Sequence, residues 1–331
     1  MSVMDKAQLD QLIGLMQSVR AEVARSVVGQ GEVVDQLLVA LICGGHVLLE
    51  GTPGLGKTLM VRTLGAVTGL SFGRVQFTPD LMPADVTGGM TLTPDENGRM
   101  MASFQKGPIF SEILLADEIN RATPKTQSSL LEAMQEGTVT VGSATHALPK
   151  PFFVLATQNP VEMDGTYVLP EAQVDRFLFK TLVRYPTEDE LDAILDMTTG
   201  NTHVQPEASL SREQILELQR LVRDVPVVDH VRRAIARLAI STQPDRPQAP
   251  EIVRKYFRYG VSPRGAQALV LAAKGFALLD GRYNVSFDDV RAALLPTMRH
   301  RVQLNFQAEV ARLDLDDLLN TLLEDEARAA A

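Results

Sequence analysis

The feature that most constrains this chain is the run Gly51-Thr52-Pro53-Gly54-Leu55-Gly56-Lys57-Thr58, which fits G-x-x-x-x-G-K-[ST] directly. It follows a short apolar run, Val47–Glu50, and precedes a helical stretch beginning at Leu59. A glycine loop between strand and helix lets backbone N–H groups close around phosphate oxygens at a helix N-terminus. In that geometry Lys57 meets the β/γ oxygens and the Thr58 hydroxyl ligates Mg²⁺. A fold that presents such a loop is a parallel sheet wrapped by helices.

The remaining pattern agrees with such a sheet. Val47–Glu50, Arg74–Phe77, Ile113–Ala116, Phe152–Ala156 and Phe179–Arg184 are short runs of β-branched, aliphatic and aromatic residues, expected as strands buried on both faces. Thr123 as N-cap, Pro124 at the first helical position, the stripe Leu130, Leu131 and Met134, and Gly137 as terminator predict a helix between the third and fourth. Leu9, Leu12, Met16, Val19 and Val23 predict an N-terminal amphipathic helix. Met90–Phe104, around Asn97-Gly98, and Thr138–Leu148, around Gly142-Ser143, read as hairpin inserts or as loop decoration. After Pro186 the strand signals stop. Glu188–Met197, Ser211–Arg223, Asp229–Thr242, Pro263–Leu279 and Phe287–Met298 predict helices. The expected organisation is an N-terminal helix over 1–27, an α/β domain over 28–186 and an all-helical domain over 187–331.

Two further strand ends carry chemistry. Ile113–Ala116 runs into Asp117 and Glu118, a metal-shell carboxylate followed by a group able to polarise an attacking water. A lone Asp suits a slow or switch-like enzyme, whereas the adjacent Glu points to hydrolysis. Phe152–Ala156 ends in Thr157-Gln158-Asn159-Pro160, and ligands collect beyond the carboxyl ends of parallel strands. Asn159 is therefore placed to bind the water or the γ-phosphate, although Asn-Pro is also a common turn starter.

Composition narrows the partners. The chain has 331 residues, 32 basic against 41 acidic side chains and a formal net charge of −9, the opposite balance from a protein that lives on nucleic acid. Its one cysteine, Cys43, excludes an intramolecular disulfide and fits a reducing cytoplasm. The uncharged stretch Gln36–Leu49 is too short to span a bilayer, and no export signal is expected. Val231–Arg264 is rich in arginine, whereas Asp314, Asp316, Asp317, Glu324, Asp325 and Glu326 make the C-terminal segment acidic. Either run suits a solvated surface, and contact between the basic run of one subunit and an acidic face of its neighbour is the alternative.

Taken together, Val28-Gly29-Gln30, Gly51–Thr58, Gln76–Asp80, Gly107–Phe110, Leu115–Arg121, Pro124–Gln127, Leu131–Met134, Ala156–Pro160 and Gly165–Phe177 resemble an AAA+ ATPase of the MoxR family, with Ser262-Pro263-Arg264 matching an element of its helical lid. The resemblance implies a P-loop domain with a five-stranded parallel sheet and hairpin inserts, a helical lid, and assembly as a hexameric ring. By position, it implies nucleotide contacts from Val28, Gly29, Thr52, Pro53, Gly54, Leu55, Gly56, Lys57, Thr58 and Leu59, with Mg²⁺ on Thr58 and Asp117. Catalysis would involve Lys57, Glu118, Asn159 as first sensor, Arg176 as the finger offered to a neighbour, and Arg264 as second sensor closing the lid onto the phosphates. Arg121 is an alternative trans-acting group, and Arg176 beside Asp175 also reads as a local ion pair. The family implies ATP-driven, chaperone-like maturation of protein complexes with a partner carrying a von Willebrand factor A domain. A nucleic-acid remodelling motor and a nucleotide-gated scaffold with little hydrolysis are the rival readings. No direct membrane insertion is expected.

Overall fold

The computed structural model describes residues 6–94, 100–160, 166–199 and 206–330. In chain order, α1 (Lys6–Ala24) and α2 (Gly31–Cys43) lead into β1 (Val47–Glu50), α3 (Lys57–Thr68) and β2 (Phe72–Gln76). A short α4 (Pro83–Thr87) opens the hairpin β3 (Gly88–Pro94) and β4 (Met100–Lys106), followed by β5 (Ile113–Asp117) and α5 (Pro124–Glu136). A second hairpin, β6 (Thr138–Val141) and β7 (Ala144–Ala147), precedes β8 (Phe153–Gln158), α6 (Glu171–Val174), β9 (Phe179–Leu182) and α7 (Glu188–Thr199). The C-terminal part holds α8 (Arg212–Asp224), α9 (Asp229–Ser241), α10 (Glu251–Tyr256), β10 (Phe257–Tyr259), α11 (Pro263–Leu279), α12 (Phe287–Met298), β11 (Gln303–Leu304), α13 (Phe306–Val310) and α14 (Leu315–Ala330).

The main sheet has five strands in the order β2-β5-β8-β1-β9, all parallel. Period-two alternation divides its side chains between two cores. Val47, Leu49, Ile113, Leu115, Phe153 and Leu155 face one core together with α1, α2 and α3. Leu48, Leu114, Ala116, Val154 and Ala156 face the other, under α5 and beside Phe77 and Phe177. The first core continues without a break into the lid through Leu218, Ile235, Leu269, Leu294 and Leu319. Gly275 makes that junction close. A Cβ there would meet Val39 Cγ1 at 2.7 Å and Cys43 Sγ at 2.9 Å, so α11 lies directly on α2.

The N-terminal helix packs as its spacing predicts, with Leu12, Met16, Val19 and Val23 buried. Both inserts are hairpins, although the Asn97-Gly98 turn itself lies outside the described residues. In the first, Met90, Leu92 and Pro94 pair with Phe104, Ala102 and Met100, which gathers one apolar face on a two-stranded ribbon. Thr123 sits at the N-cap of α5, yet its hydroxyl reaches Thr126 Oγ1 instead of capping the backbone. One expectation needs correction. The C-terminal part is helical but not wholly so, because β10 and β11 pair antiparallel. The acidic C-terminal segment finds partners within its own chain, with Arg237, Arg291 and Arg299 on Glu326, Glu324 and Asp316.

Candidate functional site

Two concave regions meet at the carboxyl ends of β1, β5 and β8. Gly54 and Gly56 take left-handed φ of 86° and 74°, and a Cβ on either would meet nothing within 4 Å. The loop therefore curves around open space, with Gly56 as the N-cap of α3. Lys57 Nζ donates to Gly51 O at 2.6 Å, inside the loop. Burial pushes the Lys57 ammonium below its usual range, while Asp117, Glu118 and Glu50 pull it back up. Pro53, Gly54, Gly56, Lys57, Thr58, Asp117, Glu118, Thr157 and Asn159 line a cavity of about 220 Å³ at this end.

The two carboxylates are organised by Thr157, which sequence reading passed over. Its buried hydroxyl donates to Asp117 Oδ1 at 2.7 Å and accepts from the Glu118 backbone N–H at 2.8 Å. Glu118 has a φ of 57°, a conformation that costs a non-glycine residue about 1–3 kcal/mol and that collects at functional positions. Gln76 Nε2 donates to Glu118 Oε2 at 2.8 Å, and Arg121 Nη1 reaches the same oxygen at 3.1 Å. Arg74 Nη2 donates to Asp117 Oδ2 at 2.7 Å. Among the described residues, no cluster of three or more His, Cys, Asp or Glu could hold a metal ion. One hydroxyl and one carboxylate fit a cation only when phosphate oxygens complete its shell, as Mg²⁺ requires of a triphosphate.

Beyond the loop, a second cavity of about 310 Å³ is lined by Val28, Leu55, Leu59, Met60, Tyr185, Leu191, Ile194 and Met197 among others. Its apolar walls and contact with Gly54 and Gly56 suit a flat heterocycle joined to phosphates. Of the expected nucleotide contacts, Thr52 lines neither cavity. Gly29 lines an adjacent crevice, where its φ of 75° and the approach of Glu190 Cδ, at 2.7 Å from a would-be Cβ, exclude side chains.

Arg176 and Arg264 are not gathered here. They line a separate cleft of about 550 Å³ with Arg223, Arg301, Asp175 and His46, and none of the loop residues contributes to it. The guanidiniums of Arg176, Arg223 and Arg264 make no hydrogen bond or ion pair among the described residues. Asp175 pairs with Arg301 at 2.6 Å, so it does not neutralise Arg176. These unpaired cations concentrate positive charge in one cleft of a chain whose net charge is −9. No described helix is long and apolar enough to cross a membrane.

Comparison with known proteins agrees with this architecture. Residues 46–179 match the family described as ATPase family associated with various cellular activities (AAA), and residues 249–322 match the AAA lid domain. The uncharacterized protein YeaC of Bacillus subtilis is 43% identical over 301 residues, 90% of each chain. Chaperone MoxR1 of Mycobacterium tuberculosis is 41% identical over 307 residues, covering 92% of this chain and 80% of that one. A crystal structure of a candidate ATPase from Cytophaga hutchinsonii superposes with a TM-score of 0.89 at 37% identity over 96% of both chains. With a P-loop sheet, a helical lid and these relatives, the chain belongs to the MoxR family of AAA+ ATPases.

Proposed function

We propose that this chain hydrolyses Mg²⁺-ATP at sites shared between adjacent subunits of a homo-oligomeric ring, hexameric as in related AAA+ assemblies. The observation that carries the reading is the division of labour on one chain. The phosphate cavity holds Lys57, Thr58, Asp117, Glu118 and Asn159, while the unpaired Arg176 and Arg264 lie in a cleft that shares no residue with it. A hydrolytic site needs both halves, and a ring brings the cleft of one subunit to the cavity of the next.

In this reading the chain divides into an N-terminal helix (1–27), a nucleotide-binding domain (28–186) and a lid (187–331). Val28, Leu55 and Leu59 hold the base, with Gly29 next to Val28 in the adjoining crevice. The loop amides and Lys57 bind the phosphates. Thr58 and Asp117 would hold Mg²⁺, which would supply charge neutralisation to the bound phosphates. Glu118 orients and polarises the attacking water, and Asn159 reads the γ-phosphate. Arg176 of the neighbour stabilises charge that develops in the transition state, a contribution worth about 10³–10⁵ in rate for arginine fingers. Arg264 enters beside it, in trans.

Hydrolysis then moves the lid against the sheet, and the two hairpins pass that motion to a client. The relative MoxR1 is named a chaperone. Chaperone-like maturation of protein complexes, with a partner carrying a von Willebrand factor A domain, is the role that the family suggests for this chain in a reducing cytoplasm. The test is steady-state ATP turnover beside nucleotide binding. Glu118→Gln is expected to bind ATP while turnover falls about 10²–10⁴-fold, and Lys57→Ala to lose both. Unchanged turnover in Glu118→Gln would overturn the assignment, and turnover raised by duplex DNA would favour the remodelling motor instead.

A further inference from the structure

The cleft that carries Arg176 and Arg264 is built around another arginine, which is turned inward. Arg301 follows α12, and its side chain is 4% exposed. Its Nε donates to Asp175 Oδ1 at 2.6 Å, and Nη2 donates to Asp175 O at 3.1 Å and Phe177 O at 2.7 Å. Nη1 donates to Leu178 O at 3.1 Å and also to Thr297 O. The acceptors on Asp175, Phe177 and Leu178 bracket Arg176 on both sides. His300 Nε2 lies 3.1 Å from the same Phe177 carbonyl and reinforces the grip. On its other flank Arg301 packs against Gly265, the residue after Arg264, where a Cβ would stand 2.9 Å from Arg301 Cδ.

A buried guanidinium is tolerated only when its donors are met, and here the planar fork spans one side chain and four carbonyls, counting Thr297. For stability alone, an apolar side chain of similar volume does as well or better than a buried ion pair. What the arginine adds is direction. The segment it holds follows a helix of only four residues, α6, which supplies little rigidity of its own.

We infer that Arg301 is a positioning residue that fixes Arg176 and Arg264 relative to one another across the boundary between sheet and lid. Movement of the lid and placement of Arg176 thereby become one event. The inference rests on the reading of Arg176 as a group acting on the neighbouring subunit's nucleotide. Arg301 lines the same cleft, but its donors are taken up by Asp175, Phe177, Leu178 and Thr297. Its effect reaches the reaction only through the backbone on either side of Arg176.

The test uses Arg301→Lys, which keeps the charge and loses the fork. Its kcat should fall at least about tenfold, with the KM for ATP within about twofold of wild type, because the chain's own ATP site is intact. Mixing it with Lys57→Ala chains separates positioning from general damage. Lys57→Ala is inactive alone and Arg301→Lys is impaired, but an intact Arg176 on a Lys57→Ala subunit can serve the intact pocket of an Arg301→Lys subunit. An equal mixture should recover about a quarter of wild-type turnover, the share of junctions with that pairing in a ring. Wild-type kcat in Arg301→Lys overturns the inference. So does a mixture no more active than its parts when Arg176→Ala mixed with Lys57→Ala does recover. Wild-type turnover in Arg176→Ala would instead remove the reading on which the inference rests. Should Arg301→Lys fail to fold, Asp175→Asn, which removes the carboxylate and leaves the backbone acceptors, takes its place in both assays.

Discussion

Replacing Thr157 by valine exchanges one hydroxyl for a methyl at a position that is 1% exposed. The hydroxyl makes two hydrogen bonds, one to the Asp117 carboxylate at 2.7 Å and one from the Glu118 N–H at 2.8 Å. A hydrogen bond to a charged group contributes about 1.5–3 kcal/mol, and an orphaned buried N–H costs about 1–3 kcal/mol. The lower ends sum to about 2.5 kcal/mol, which corresponds to a fall in Tm of about 3–4 °C for a chain of 331 residues. The functional loss should be larger than the thermal one suggests. The bond from the Glu118 N–H supports a φ of 57°, and a carboxylate displaced by about 1 Å loses about 10²-fold in rate. Thermal melts and ATP turnover of Thr157→Val beside Thr157→Ser, which keeps the hydroxyl, provide the assay. Equal turnover in the two variants would refute the claim that this hydroxyl organises the carboxylates.

Two further predictions concern buried titratable groups. Burial lowers the His46 imidazole to about 4, against a usual value near 6.5. Between those values the unfolded chain binds the proton and the folded chain does not, so stability should fall as pH drops from about 6.5 towards 4, by up to about 3 kcal/mol from this group. His300, buried beside Arg301 and shifted the same way, adds to the slope. Urea melts across that range check it, and His46→Asn should flatten the profile. Burial raises the Cys43 thiol to about 12, so an alkylating reagent at pH 8 should label it only after unfolding, as read by mass spectrometry.

Much of this architecture is legible in the sequence because strands buried on both faces must be continuous apolar runs. Val47–Glu50 and Ile113–Ala116 have no competing period, and the glycine loop allows few alternatives between strand and helix. The hairpins are only half legible: Asn-Gly between apolar segments, and alternating small and β-branched residues, suit a hairpin or a decorated loop equally, and the family resemblance decides between them. The pair β10–β11 is invisible for a physical reason: three residues against two carry no period to detect, and their pairing joins segments far apart in sequence. The site divides in the same way. Lys57, Thr58, Asp117 and Glu118 are announced by local spacing, whereas the grip of Arg301 on Asp175 spans 126 residues. Arg223, which joins Arg176 and Arg264 in their cleft, sits near the end of α8 with no local motif to mark it. The pairing of Arg237 with Glu326 likewise spans 89 residues, and it shows why charge runs alone misdirect. That acidic segment reads as a solvated surface, or alternatively as a face for a neighbour, until the fold brings its own partners to it.

In the proposed ring, each nucleotide is hydrolysed by residues of two chains. Steady-state ATP turnover per subunit, measured across protein concentration for wild type and Arg176→Ala, tests it most directly. Specific activity should climb with concentration in the wild type and fall about 10³-fold or more in the variant, with ATP binding retained. Activity that is flat with concentration and equal in both proteins would contradict it.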